Sequence, residues 1–436
     1  MTSPLEQVDI AIVGGGMVGA SLALLLAEAQ PDWRIALVEA RVLADSASDT
    51  ASHTTDSHTT DSPSAEDARS TALAYGSAEI LDQLGLWAAI APRATAIQQV
   101  HVSDRGHLAG SLIDAVQEQV PALGYVVANA HLGRQLALGL KARPNICVYS
   151  PARVTHCQTQ ASGMVLELES PRGPLALSAR LTAIADGGDS PLRRQLGIAT
   201  QVRDYQQTAI IANVSFSEPH GGVAYERFTA DGPLALLPLG ESPGGRRAAL
   251  VWTLPQAQAE AMAEAPEAEF LAQLQSRFGF RLGRLTGVGQ RQAYPLQLLL
   301  AEEQIRSGLV LVGNAAHFLH PVAGQGFNLA LRDCVALTHS LSQAAAEGKS
   351  PGDLSVLSRY LEAQTLDQQL TIGFSDRLVR LFSSSSLPLV ALRHLGLISL
   401  ELAPPLKKLL TRQTLGQAGR GYFSAPSTPG ATGTLR

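Results

Sequence analysis

The chain has 436 residues, 45% hydrophobic and 16% charged, enough to bury a sizeable core as two closely associated lobes. Lys and Arg number 33 against 38 Asp and Glu, a net charge of -5 that excludes the broad positive field nucleic-acid binding needs. Cys147, Cys157 and Cys334 form no CxxC pair and have no His at zinc-ligand spacing, so they read as free thiols of a reducing cytosol, with no disulfide framework and no metal site.

From the N-terminus, Val8 to Val13 is a β-branched apolar run, and an Ala/Leu-rich helix is predicted from Val18 to about Ala29, ended by Pro31 and Asp32. No charge occurs from Ile10 to Ala27, the length of a membrane span. Asp9 precedes the run and Gly14-Gly15-Gly16 interrupts it, so it reads as buried strand, turn and buried helix. A second strand, Arg34 to Glu39, completes a βαβ unit. The stretch from Leu43 to Asp67 repeats Ser-His-Thr-Thr-Asp at 52–56 and 57–61 and reads as a solvated, disordered insert; His53 and His58 lack the defined geometry of a metal site. Helical patterns return at Ser77 to Leu84 and Leu132 to Leu140, and strands are predicted at Met164 to Leu168, Ala209 to Phe216 and Ala248 to Leu254. After the buried-type strand Leu309 to Val312 the chain turns largely helical, to about Leu410.

The turn Gly14-x-Gly16-x-x-Gly19 carries the first chemistry. The first glycine permits a tight turn, the second lets backbone approach a pyrophosphate, and the third lets helix and strand pack closely. Glu39 closes the second strand about twenty residues beyond, where a carboxylate accepts hydrogen bonds from ribose hydroxyls and disfavours a 2′-phosphate. The motif predicts a dinucleotide other than NADP at this turn and does not separate NAD from FAD.

Two further segments resemble those of the flavoprotein aromatic hydroxylases. Ala185-Asp186-Gly187-x-x-Ser190-x-x-Arg193 is similar to their Asp-Gly motif, which implies contacts to the FAD pyrophosphate and to NAD(P)H. Gly313-Asn314-Ala315-Ala316-His317, followed by His320-Pro321-x-Ala323-Gly324-Gln325-Gly326-x-Asn328, resembles their second FAD fingerprint. Gly324 and Gly326 would let backbone N–H groups approach the flavin, with the following helix pointing its positive end there. Asn314 stands where the family usually carries Asp, so the ribityl contact falls to an amide oxygen. Arg69, in Arg69-Ser70-Thr71-Ala72-Leu73, resembles the arginine the family sets against the cofactor.

From Val8 to Gly416 the chain further resembles the 2-polyprenyl-6-methoxyphenol hydroxylase branch of that family. Segments carrying this likeness include Val100 to His107, Ile211 to Val214, Glu226-Arg227-Phe228-Thr229, Gly232 to Ala235 and Gln413-Thr414-Leu415-Gly416. The resemblance implies an α/β (α+β) fold: a Rossmann-like FAD-binding domain at 1–190, a mainly β substrate domain at 191–290, the second FAD part at 291–380 and C-terminal helices and tail at 381–436. It implies FAD, NADH or NADPH and O2 acting together to hydroxylate a polyprenylated phenol para to its hydroxyl, for ubiquinone biosynthesis. Candidates nearest the chemistry are Arg227, His320 and Pro321, with no general base assigned; Arg227, Phe228, Leu234 and Leu236 are expected as pocket walls. The Leu-rich stretch Leu387 to Leu410, with Pro404-Pro405 and Lys407-Lys408, would suit shallow docking on a membrane surface, making the enzyme cytoplasmic, peripheral at the inner membrane and a neighbour of other ubiquinone-biosynthesis proteins. Rival readings are a polyprenyl reductase or halogenase of the same fold, or a non-catalytic FAD-retaining scaffold. A halogenase would show Trp-x-Trp-x-Ile-Pro, and only Trp252 of Val251-Trp252-Thr253-Leu254-Pro255 is present.

Overall fold

The computed structural model describes residues 5–43, 69–104, 110–161, 163–240, 244–319, 324–382 and 415. Of the insert expected from Leu43 to Asp67, residues 44–67 with His53 and His58 lie outside the described residues, as do Arg105, Gly106, His107, His320, Pro321, Ala323, the stretch from Leu387 to Leu410, and Gln413, Thr414 and Gly416.

Leu5–Val13 runs parallel to Ile35–Val38 on one side and to Gly173–Ile184 on the other. Leu309–Leu311 extends the parallel sheet beyond Gly173–Ile184, and Ile146–Tyr149 extends it beyond Ile35–Val38. Parallel strands are covered on both faces and read as continuous apolar runs. Ile10, Ile12, Ile35 and Leu37 are accordingly fully buried. The helix Met17–Ala29 is apolar nearly all round because it too is covered on several sides, packing against Asn129–Lys141 and Gln325–Ala346. Its Leu22, Leu24 and Leu26 are fully buried, each worth about 1.5–3 kcal/mol. The uncharged run from Ile10 to Ala27 is thus strand, turn and helix, and among the described residues no helix is long and apolar enough to cross a membrane.

A second, nine-stranded sheet runs in the order His317–Phe318, Gln292–Ala301, Thr200–Phe216, Arg247–Pro255, Gly232–Leu239, Val223–Thr229, Gln99–Asp104 and Gly110–Asp114, with Leu285–Val288 against Thr200–Phe216. Its membership reaches beyond the expected 191–290 span on both sides, since the 99–114 hairpin and the 292–301 strand belong to it.

Period-two alternation divides this sheet into two faces. On one, Ile210, Leu234, Leu236, Leu250 and Trp252 pack beneath the helices Gln256–Glu264 and Glu267–Phe278, with the Trp252 ring edge-on to Phe270 at 5.4 Å. On the other, Ala224, Leu237 and Leu239 meet Ala72 and Tyr75, together with Leu415. A small three-stranded sheet, Ser70–Ala74, Gly124–Ala128 and Thr95–Ile97, carries Ala72 to that face.

Candidate functional site

At the end of Leu5–Val13 the Gly14 amide donates to the Val38 carbonyl at 2.8 Å, and the backbone turns with φ of +107°. A methyl group on Gly14 would stand 2.4 Å from the Ala185 carbonyl oxygen, and one on Gly19 would stand 1.9 Å from the Gly14 carbonyl oxygen. At Gly16, exposed and capping the helix, a methyl would meet nothing within 4 Å. The three glycines therefore divide in kind: Gly14 and Gly19 are required by the protein's own packing, whereas Gly16 opens onto free space at a helix N-terminus. Glu39 sits directly beneath the turn. Its carboxylate accepts from the Gly15 amide at 2.6 Å and from the Arg41 amide at 2.8 Å.

Gly173–Ile184 delivers Ala185, Asp186 and Gly187 beside that turn, through the contact between Gly14 and Ala185. The Asp186 Oδ1 is buried with no hydrogen-bond partner, and burial pushes its carboxyl above the ordinary range against a hydrogen bond from the Ser190 side chain. Ser190 also accepts from the Arg193 amide at 3.0 Å. Arg193 is only 3% exposed, and its guanidinium donates to the carbonyls of Ala315 at 2.8 Å and Gly188 at 2.7 Å. One buried cation thus fastens the Asp-Gly loop to the Gly313–Ala315 turn. Beside it lies an open cleft of about 550 Å³ lined by Gly188, Arg193, Arg194, Ile198, Thr200 and Leu299.

The third segment follows Leu309–Leu311. Gly313 has φ of +60°, and a methyl there would lie 2.9 Å from Val18 Cγ1, so this turn rests on the first helix just past the glycine turn. Asn314 is exposed at its tip. All three segments leave the C-terminal ends of neighbouring parallel strands, the edge at which open α/β sheets bind ligands. Farther along, Gly324, with φ of +60°, caps Gln325–Ala346, and a methyl on it would touch the Ala72 side chain at 3.2 Å. Gly326 faces open space, as does Gly187.

Two expectations are corrected by the geometry. Asn328 is not available to a ligand: its Oδ1 accepts from the Ala74 amide at 2.8 Å and the Ser77 hydroxyl at 2.7 Å, and its Nδ2 donates to the carbonyls of Ala72 and Gly324, both at 2.8 Å. Both lone pairs and both protons are taken up by the protein itself. It clasps the strand Ser70–Ala74, and with it the exposed Arg69 at the strand's entrance, to the start of the helix. Arg227, Leu234 and Leu236 lie on the helix-covered face of the nine-stranded sheet, not on the face toward Ala72. Arg227 Nε donates to the Arg277 carbonyl at 2.9 Å, and Leu234 pairs directly with it across the strands. Phe228, 2% exposed, falls on the opposite face by alternation.

A family model described as an FAD binding domain matches residues 7–362. The ubiquinone hydroxylase UbiL of Rhodospirillum rubrum is 34% identical over 408 residues, 94% of this chain and 89% of that protein. The 3-demethoxyubiquinol 3-hydroxylase of Escherichia coli is 32% identical over 412 residues, covering 94% of this chain and 99% of that one. In fold, p-nitrophenol 4-monooxygenase PnpA from Pseudomonas putida aligns with a TM-score of 0.72 at 20% identity, over 94% of this chain and 99% of that chain. The chain belongs to this family of FAD-dependent hydroxylases.

The hydroxylase has features that suit its cofactor. Packing alone does not explain the orphaned buried carboxylate oxygen on Asp186, and Gly16 and Gly326 leave open space at two helix N-termini. The sequence shows Leu415 and His317 only as members of their segments, without their partners. Leu415 is buried against Ala72 and Tyr75 and accepts from the Gly76 amide at 2.9 Å. His317 Nε2 meets Asp333 Oδ2 at 2.6 Å, with both side chains 1% exposed. The available signal was Asp333 itself, an acid inside the apolar helical run Leu329 to Leu337.

Proposed function

We propose that this FAD-dependent hydroxylase acts in ubiquinone biosynthesis on a polyprenylated methoxyphenol, adding a hydroxyl para to the existing one with electrons from NADH or NADPH and oxygen from O2. The adenosine diphosphate half of FAD is held by Gly14, Gly16, Gly19 and Glu39, the middle by Asp186 and Gly187, and the flavin end by Gly313, Asn314, Gly324 and Gly326, with Arg69 alongside. FAD, when bound, supplies the oxygen-activating chemistry. The protein orients the ring and keeps water away from it.

The observation that carries this reading is the two-faced sheet. One face packs beneath the two helices, while the other gathers Ala224, Leu237 and Leu239 with Ile97, Val126 and Ala72 into a second apolar cluster, whose Ala72 lies 3.2 Å from where a methyl on Gly324 would stand. An apolar wall with few polar groups suits an alkylated phenol ring. A polyprenyl tail partitions into bilayers, so the substrate is collected at a membrane surface or from other ubiquinone-biosynthesis proteins.

The test is product analysis with a short-chain prenylated methoxyphenol, offered with NADH and with NADPH in turn. A para-hydroxylated quinol is expected; nicotinamide oxidation without any hydroxylated product would refute the proposal. A second reading is favoured by the name of the E. coli relative, which places its hydroxylation at position 3 of a demethoxyubiquinol. A short-chain demethoxyubiquinol run in parallel separates the two by which ring is turned over.

A further inference from the structure

We propose that one end of the nine-stranded sheet, where Arg246, Arg247, Arg281 and Arg284 surround the exposed Phe280, is the surface by which the protein docks on an anionic bilayer. The inference deepens the reading above, in which a polyprenylated substrate is collected at a membrane surface.

Three chain segments, 216–220, 244–247 and 279–284, meet where Thr200–Phe216 ends. On one side the Phe216 amide donates to the Arg246 carbonyl at 3.0 Å and the His220 amide to the Gly245 carbonyl at 2.9 Å. On the other the Ser217 amide donates to the Arg284 carbonyl, and the Arg284 amide to the Ser217 hydroxyl, both at 2.9 Å, while the Glu218 amide reaches the Leu282 carbonyl at 3.2 Å. Two separate loops thereby set four arginines on either side of one short strap. All four are exposed, and among the described residues none of their guanidinium groups has a carboxylate in ion-pair range. Glu218 is the one acid among the described residues of these segments. A chain with a net charge of -5 thus gathers four unpaired cations at one end. Their field reaches inward: burial, and after it the charge of Arg281, holds the half-buried His101 imidazole below its ordinary range.

Phe280 is 70% exposed, on a turn that is pinned at both ends. It follows Gly279, whose φ is +89°, at the end of Glu267–Phe278, and the Gly283 amide closes the turn on the Phe280 carbonyl at 3.0 Å. Leu282 is 2% exposed and anchors the turn, and a methyl on Gly283 would stand 2.1 Å from the Ser217 hydroxyl oxygen. A protein partner would call for a continuous apolar core around the ring, whereas here the ring stands among charges. A headgroup layer needs no such core: the ring enters the interface while the guanidinium groups meet lipid phosphates. The patch also adjoins the apolar wall, because Arg247 stands directly across the ladder from Leu239, which clusters with Ala72. A tail held in the bilayer at this end lies next to the wall proposed for the ring.

The experiment is co-sedimentation of the FAD-loaded full-length protein with phosphatidylcholine vesicles, with and without phosphatidylglycerol. Binding to the anionic vesicles alone, weakening as salt rises, is expected. Each of Arg246→Gln, Arg247→Gln, Arg281→Gln and Arg284→Gln should weaken the partition about fivefold. Phe280→Ser should weaken it as well, and the four arginine changes together should abolish it. FAD affinity, the thermal melt and turnover of a short-chain phenol in solution should keep their wild-type values throughout. Wild-type partition in the quadruple variant, equal binding to neutral vesicles, or no vesicle binding by the wild type overturns the proposal. A dimer seen by ultracentrifugation that the quadruple variant dissociates, without vesicle binding, assigns the face to a second copy and overturns it too. Loss of hydroxylation in solution with docking intact counts against the substrate reading alone, and loss of docking with hydroxylation intact counts against this surface alone.

Discussion

Gly16→Ala is the sharpest perturbation, because the three glycines of one turn should respond in opposite ways. At Gly16 the backbone has φ of -64°, accessible to any residue, and the added methyl points into open space. Alanine is a poorer helix N-cap than glycine but costs the unfolded chain entropy, so the apoprotein should change by less than about 1 kcal/mol. At Gly19 the methyl would stand 1.9 Å from a backbone oxygen, and at Gly14 a 2.4 Å clash is added to a left-handed φ of +107°. Overpacking costs about 1–3 kcal/mol and a strained backbone a further ~1–3 kcal/mol. Urea unfolding of the three apoproteins should therefore place Gly16→Ala with wild type and the other two well below it. Fluorescence titration with FAD should show the reverse for Gly16→Ala, a loss of at least tenfold in Kd, or about 1.4 kcal/mol. Wild-type FAD affinity in Gly16→Ala, or an apoprotein as damaged as Gly19→Ala, would refute the division of labour drawn from the turn.

Asp186→Asn should stabilise the apoprotein at neutral pH while weakening FAD. Its folded carboxyl is raised by burial, so its contribution is fully present below the unfolded value of 3.8 and is lost as pH rises through the higher folded value. Urea midpoints measured across that window should fall less steeply in the variant; equal slopes would sink the argument. Arg193→Met should cost about 2–3 kcal/mol by stranding the Gly188 and Ala315 carbonyls, checked by thermal melts of the apoprotein. Arg227→Ala should keep kcat/KM within about twofold, because the side chain bonds to the helix-covered side of its sheet; a hundredfold loss would return it to the catalytic candidates. Phe228→Ala should lower apoprotein stability by about 3–5 kcal/mol, the range for removing a buried aromatic ring, and urea unfolding measures it directly.

The glycine turn, the Asp-Gly motif and the parallel core are legible in the amino-acid sequence because their causes are local. A β-branched run followed by glycines admits few alternatives, and each apolar strand announces its own burial. Leu234 and Leu236 show where such reading stops. Alternation correctly puts them on one face, but which face turns toward Ala72 depends on where Gln256–Glu264 and Glu267–Phe278 settle, and that is decided by packing across the sheet. Asn328 illustrates a second limit. Its polarity near the cofactor segment suggests a ligand contact, yet its partners at Ala72, Ala74 and Ser77 are some 250 residues away in the chain. His317 and Asp333 are separated by only 16 residues, but nothing in either one's neighbours specifies the other.

The seating of Gly14 against Ala185 and of Gly313 against Val18 has a kinetic consequence. On the ribosome, Leu5–Val13 can pair early with Ile35–Val38, yet its other edge waits for Gly173–Ile184, and the turn waits for the segment after Leu309–Leu311. Contacts of such long range form late, after a large loop-closure cost. On the proposed placement of FAD, its site is complete only in a chain that is nearly whole, and nascent chains stalled before residue 326 are expected to emerge from the ribosome without flavin.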